Sequence, residues 1–249
     1  MDRTHDESTR GGPRLHVPSR SGRRRRATTI AGLLVIAGFA TGILTVVPVL
    51  EEAGYLAALP DRRAEVVSGT MFQLPMAMAY AAFALVLHPI LRRFDPTLAL
   101  GFVSLRMVAL GFHVLAMALL TLILDVGVVD GGAVDASDES RALVVETLRL
   151  GRDLVNHVVV IVATALGDSL LFVLLLRHRL VPAWLSTWGL AGAASAILAS
   201  LLLLAGVVDV VGIPYLALTG MLGLQGLALA VWLIVRGLDT GAPRSAASA

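Results

Sequence analysis

Long apolar runs alternate with short polar connections along almost the whole chain. The runs cover residues 27–50, 66–91, 97–124, a stretch from Ser137 or Asp138 to Leu176, then 182–207 and 213–235. Crossing a hydrocarbon core of about 30 Å takes roughly 20 apolar residues in a helix, so the pattern predicts six transmembrane helices. The fold class expected is all-α, a polytopic membrane helix bundle. Pro75, with no amide hydrogen to donate, predicts a kink in the second run. The fourth run exceeds the core thickness, so its first turns, with Glu146, Arg149, Arg152 and Asp153, should stand outside it. Ser137 and Asp138 are candidate N-caps for that helix. Spacings of three and four link Glu146 to Arg149, Arg149 to Asp153, and Asp153 to His157. Small residues, Gly38 and Gly42 in the first run and Gly192, Ala196 and Ser200 in the fifth, let neighbouring backbones approach.

Composition agrees with this reading. The 249 residues are 57% hydrophobic, against about 45–50% in ordinary soluble domains, and the mean hydropathy is +0.82. A net charge of +2 raises the question of a nucleic-acid partner, but the basic residues gather at the N-terminus and in short connections, which is a topology signal. No nucleic-acid partner is expected. All 20 basic residues are Arg, which fits a coding bias and carries no chemistry, and the absence of Cys removes disulfides, thiolate metal sites and Cys nucleophiles.

The charges then set orientation. Arg-rich segments precede the first run, join the second to the third and the fourth to the fifth, and follow the sixth; acidic segments make the other connections. That alternation predicts both termini in the cytoplasm of an inner-membrane protein. Residues 1–26, ending in Arg23, Arg24, Arg25 and Arg26, read as a disordered cytoplasmic basic arm, 27–236 as the six-helix domain, and 237–249 as a disordered cytoplasmic tail. The first run is too long for a signal-peptide core of about 7–15 residues, so it is expected to stay as a helix.

Polar residues inside the spans are the candidate sites, because a charge at the centre of a bilayer costs about 2.5–3.5 kcal/mol and must find a partner. Counting about 1.5 Å per residue from the cytoplasmic ends places Arg106 and Asp168 at one depth, roughly 13 Å inside, with Gln225 near the same plane. The expectation is a buried ion pair of Arg106 with Asp168, Gln225 offering a further hydrogen bond. Gln73 and Tyr80 lie seven residues apart and share a face, as do Arg106 and His113. Gln225 and Tyr80 belong to a polar seam between the second, third, fourth and sixth helices. Gln73, His113 and His157 fall within about 6 Å of one another in depth, and with Asp153 they form a candidate outer vestibule. His157 and Asp168, eleven residues apart, return to one face of a regular helix, which would connect vestibule and pair. The alternative is that these residues only satisfy one another and hold the bundle together.

Catalytic chemistry finds little support. His88 lies roughly 18 Å from His113 in depth, so a three-histidine zinc site is excluded. His113, His157 and Asp153 show no HExxH spacing, Gly167-Asp168-Ser169 is no nucleophile elbow, and no phosphate loop or dinucleotide fingerprint occurs. No cofactor, metal or catalytic residue is assigned.

Several segments resemble the bacterial six-helix membrane proteins grouped as domain-of-unknown-function family 4386. They are Arg25 to Leu34, with Thr28, Ile30, Ala31, Gly32, Leu33 and Leu34; Phe102-Val103-Ser104-Leu105-Arg106; and Leu180-Val181-Pro182-Ala183-Trp184-Leu185 leading to Gly189-Leu190. In that family an acidic residue often follows the third-helix Arg. Here Val108-Ala109-Leu110 stands there instead, which favours Asp168 as the partner. The resemblance implies the six-helix fold and no activity. The leading expectation is non-enzymatic binding or passage of a small solute, lipid or proton through the polar seam of a protein embedded in the lipid bilayer. An accessory role through a protein partner is the alternative, and an intramembrane metal-dependent enzyme is third.

Overall fold

The computed structural model describes residues 20–129, 132–133 and 139–239. Its elements are α1 (Arg20–Ile43), a 3-10 turn (Pro48–Glu51), α2 (Tyr55–Ala58), α3 (Arg63–Leu91), α4 (Pro96–Gly127), β1 (Val128–Val129) and β2 (Gly132–Ala133). They continue with α5 (Glu139–Leu154), a π-turn (Val155–Val159), α6 (Val160–Arg177), α7 (Ala183–Leu204) and α8 (Ile213–Val235). α5, the π-turn and α6 form one continuous helix of 39 residues, and with α1, α3, α4, α7 and α8 they make six helices long and apolar enough to cross a membrane. The chain is a multi-pass, all-α membrane protein.

Local chemistry places the helix ends. Asp95 precedes Pro96 in extended conformation and its side chain accepts the Leu98 amide at 2.9 Å, which caps α4. α3 runs on through Pro75 and Pro89. The first span ends at Ile43, short of the expected Leu50, because Pro48 starts a separate 3-10 turn and disfavours helix in the residue before it. Its start lies earlier than expected, at Arg20, so Arg23 to Arg26 stand on helix and are no part of a disordered arm. Arginine is a good helix former, and Arg25 also has a docking site. Its guanidinium donates to the carbonyls of Leu233, Ile234 and Val235 at 3.1, 2.6 and 2.9 Å, covering the free carbonyls at the end of α8. Residues 237–239, expected in the tail, fold back so that the Asp239 amide donates to Leu180 O at 2.9 Å. Ser137 and Asp138, residues 1–19 and residues 240–249 lie outside the described residues.

Each span packs on its neighbours in sequence, and α1 closes the circuit by packing on α8. Small residues set these contacts. A Cβ on Gly32 would lie 2.6 Å from Ala230 O, and one on Gly192 would lie 3.0 Å from Leu222 Cα, so both helix pairs need the missing side chain. At the end carrying α1's start and α8's finish, Leu87, Leu91, Phe102, Leu174, Leu175 and Leu233 form a buried apolar plug. At the opposite end Val49, Leu50, Tyr55 and Leu59 from the first connection fold onto Leu120, Ile123 and Val145. Arg106 and His113 on α4 and Asp168 on α6 lie between these two apolar layers.

Candidate functional site

Arg106 points from α4 toward α6, where its Nη2 donates to Asp168 Oδ1 at 2.5 Å. Both residues are buried, with 8% and 6% of their surface exposed. Gly167 permits this meeting: a Cβ there would sit 3.1 Å from Leu105 Cβ, at the point where α6 crosses α4. The guanidinium is also walled by aromatic rings, with Tyr80, Phe83 and Phe102 centroids 5.5, 5.7 and 5.9 Å from its Cζ. Ring faces carry partial negative charge, so they soften the cost of burying a cation. Tyr80 is held in turn by Gly38 of α1, whose Cβ would meet its ring at 3.0 Å.

Above the pair lies a cavity of about 240 Å³ to which all six spans contribute. Its walls are mostly apolar, including Phe39, Met76, Leu110 and Leu222, and the polar side chains among them are Tyr80, Arg106, His113, Thr164, Asp168, Thr219 and Gln225. Gln225 does not bond to the ion pair. Its Nε2 donates instead to Leu185 O of α7 at 3.0 Å, and its Oε1, like Arg106 Nε and His113 Nδ1, is buried with no hydrogen-bond partner among the described residues. The α7 chain begins just after Pro182, and Leu185 lies in the first turn, whose backbone is within reach of the glutamine.

The candidate vestibule is divided. His113 lines the cavity, sharing it with Arg106, while Gln73, Asp153 and His157 each find a different partner. Gln73 Nε2 donates to Asn156 Oδ1 at 3.0 Å. His157 Nδ1 lies 3.0 Å from the Tyr215 hydroxyl of α8, and the His157 carbonyl accepts from Ser200 Oγ at 2.9 Å and Tyr215 OH at 3.3 Å. Asp153 accepts from Arg152 Nη1 at 2.8 Å and Arg149 Nη1 at 3.3 Å, with no bond to His157. The π-turn over Val155–Val159 explains the departure. One extra residue in a turn rephases the helix faces on either side of it, so the spacings of four and eleven no longer mark one face. His157 therefore looks toward α7 and α8, and Asp168 toward α4.

The first turns of the fourth span carry a second charged group, facing the first connection. Arg149 grips both Glu146 oxygens at 3.0 and 2.7 Å, Tyr55 OH donates to Glu146 Oε2 at 2.8 Å, and the Arg149 guanidinium lies 5.6 Å from the Tyr55 ring centroid. Glu51 Oε1 is 3.9 Å from Arg152 Nη1. Burial and the nearby Asp153 charge push the Glu51 carboxyl above its ordinary value, against the pull of Arg152 and Arg149. Burial and the bond to Glu146 push the Tyr55 hydroxyl up as well. The i,i+3 and i,i+4 spacings announce Arg149 with Glu146 and Asp153. Nothing in the sequence singles out Asn156, Tyr215 or Tyr55, and Ser200 reads there only as a small packing residue; other elements bring them in.

Among the described residues no three His, Asp or Glu side chains gather closely enough to hold a metal ion. In comparison with known proteins, the family described as a domain of unknown function, DUF4386, matches residues 30–237. No curated protein and no solved structure matches the chain.

Proposed function

The chain belongs to the family described as a domain of unknown function, DUF4386, and from that footing we propose that it is a non-enzymatic binder of a small, mainly apolar solute or lipid-like molecule. The molecule occupies the cavity between the six spans. The protein acts in a bacterial inner membrane with both termini in the cytoplasm, a reading supported by the alternation of Arg-rich and acidic connections. The single observation that carries the binding function is the 240 Å³ cavity itself, walled by every span and lined by a few polar side chains among apolar ones. Small-molecule sites typically occupy about 300–1,000 Å³ and combine apolar walls with few convergent polar groups, so this one suits a small occupant. The apolar plug beside it favours retention over a continuous path.

Gly226 offers a direct test. It lines the cavity, and a Cβ there would meet nothing within 4 Å, so Gly226→Phe adds bulk to the cavity wall from an open position. Wild type and variant are purified from membranes, washed alike, and their solvent extracts compared by mass spectrometry. A small molecule retained in near-equal amount by wild type and lost from the variant is the expected result. Identical extracts would remove the reading.

A further inference from the structure

The two ends of the cavity are closed. The plug that includes Leu87, Phe102 and Leu175 covers one, and the first connection, folded onto Leu120 and Ile123, covers the other. The side wall between α1 and α8 differs from both. Every other residue lining the cavity is buried or half-buried, whereas Phe39 of α1 keeps 36% of its surface exposed.

The glycines of α8 explain how this wall comes to be thin. Glycine in a helix costs about 1 kcal/mol against alanine and in a membrane bundle normally marks close packing. Gly32 and Gly192 follow that rule, with a neighbouring backbone 2.6 and 3.0 Å from where a Cβ would stand. Gly223 and Gly226, which both line the cavity, do not. A Cβ on Gly226 would meet nothing within 4 Å, and one on Gly223 would meet only the Phe39 ring, at 3.8 Å. Ala230, Gly226 and Gly223 continue along α8 from the contact with Gly32, four and then three residues apart, and so share a face. Beyond that contact the missing side chains leave space between α1 and α8, and the Phe39 ring lies beside it. The seams on either side are shut. A Cβ on Gly38 or Gly42 would meet Tyr80 or Met76 of α3 at 3.0 or 3.2 Å, and Ser195 Oγ of α7 donates to Leu218 O of α8 at 2.9 Å.

We propose that the cavity draws its occupant from the bilayer, through a lateral opening between α1 and α8 that the Phe39 ring covers. The occupant is then a membrane-dissolved lipophile with a slender apolar end, such as an acyl chain. Gly223 stands near the middle of α8, at the depth where chain ends lie. A water-borne solute would have to part a buried layer, but a lipid chain has only one half-free ring to displace. This inference rests on the cavity being a binding site and adds where the ligand comes from.

The test uses full-length protein in phosphatidylcholine nanodiscs with two carbene precursors. One is a phosphatidylcholine carrying a diazirine near the end of one acyl chain, and the other is a membrane-impermeant sugar carrying the same group. After illumination, adducts are mapped by mass spectrometry, with the exposed Leu100 and Leu224 as references for the outer surface. The tail probe is expected to label Leu110 and Leu222 of the cavity wall, and the sugar to leave both unlabelled. Phe39→Ala should raise cavity labelling relative to Leu100 by about fivefold, the factor set by no longer having to swing a ring off its rotamer. Phe39→Trp should lower it, which keeps the comparison open if the alanine variant fails to fold.

Tail labelling confined to the reference residues, in wild type and variants alike, overturns the lateral route. So does cavity labelling by the sugar in its place, or cavity labelling by the tail probe that ignores both Phe39 substitutions. The Gly226→Phe extraction reads retention by the cavity whatever the route, so it shows separately whether the binding function stands.

Discussion

The two charged groups of this bundle solve one problem in different ways. At the centre, Arg106 has one carboxylate partner and a wall of three aromatic rings. At the start of the fourth span, Arg149 and Arg152 share Glu146, Asp153 and Glu51 with Tyr55, so each charge has more than one neighbour of opposite sign or polar character. Arg152 and Asp153, 7% and 9% exposed, are as buried as the central pair at 8% and 6%, and Glu146 keeps 38% of its side-chain surface, so the difference lies in the number of partners. Where water is far away, a lone pair of charges depends wholly on the partner. Where partners are several, the loss of one is shared. The comparison separates a specific element of the interior from a distributed seal between helix and connection.

The largest effect should come from breaking the central pair. Asp168→Ala leaves the guanidinium buried without its carboxylate and should cost about 3–5 kcal/mol, as should Arg106→Ala from the other side. Replacing both with Leu removes the stranded charge and should recover much of that loss. Reversible unfolding in mixed micelles reads all three. Additive losses across the pair would show that the two charges do not support each other, and the contrast with the outer group would collapse.

A smaller effect is expected at the outer group. Asp153→Asn keeps the shape and an acceptor, and Arg149 retains both Glu146 bonds, so the cost should be about 1–2 kcal/mol. A loss as large as that of Asp168→Ala, measured the same way, would mean that the network acts as one unit.

The smallest effect has the opposite sign. The Glu51 carboxyl is held above its ordinary value, so the folded state binds its proton more readily than the unfolded chain does. Its stabilising share is complete below the unfolded value and is lost as pH rises through the folded value. Glu51→Gln, always neutral, should therefore raise stability at neutral pH by less than about 1 kcal/mol and change nothing in acid. Thermal unfolding at both pH values checks this. Destabilisation at neutral pH would show that the 3.9 Å approach to Arg152 outweighs burial.

The chain by itself determined the six spans, because a helix satisfies its own backbone in lipid and long apolar runs announce it residue by residue. It also put Arg106 and Asp168 at one depth, since depth follows from counting along a rigid helix. Rotation about the helix axis is different, for it accumulates every local irregularity. The π-turn at Val155–Val159 carries no composition signal, yet it rephases the fourth span. As a result His157 meets Tyr215 and Ser200, Asp153 turns to Arg149 and Arg152, and only His113 of the candidate vestibule reaches the cavity. Gln225 likewise spent its amide on Leu185 O, a bond set by where α7 begins. The cavity exists in no single segment. It is what remains when six helices, spaced by Gly32, Gly38, Gly167 and Gly192, pack in a closed circuit around side chains that do not fill the middle.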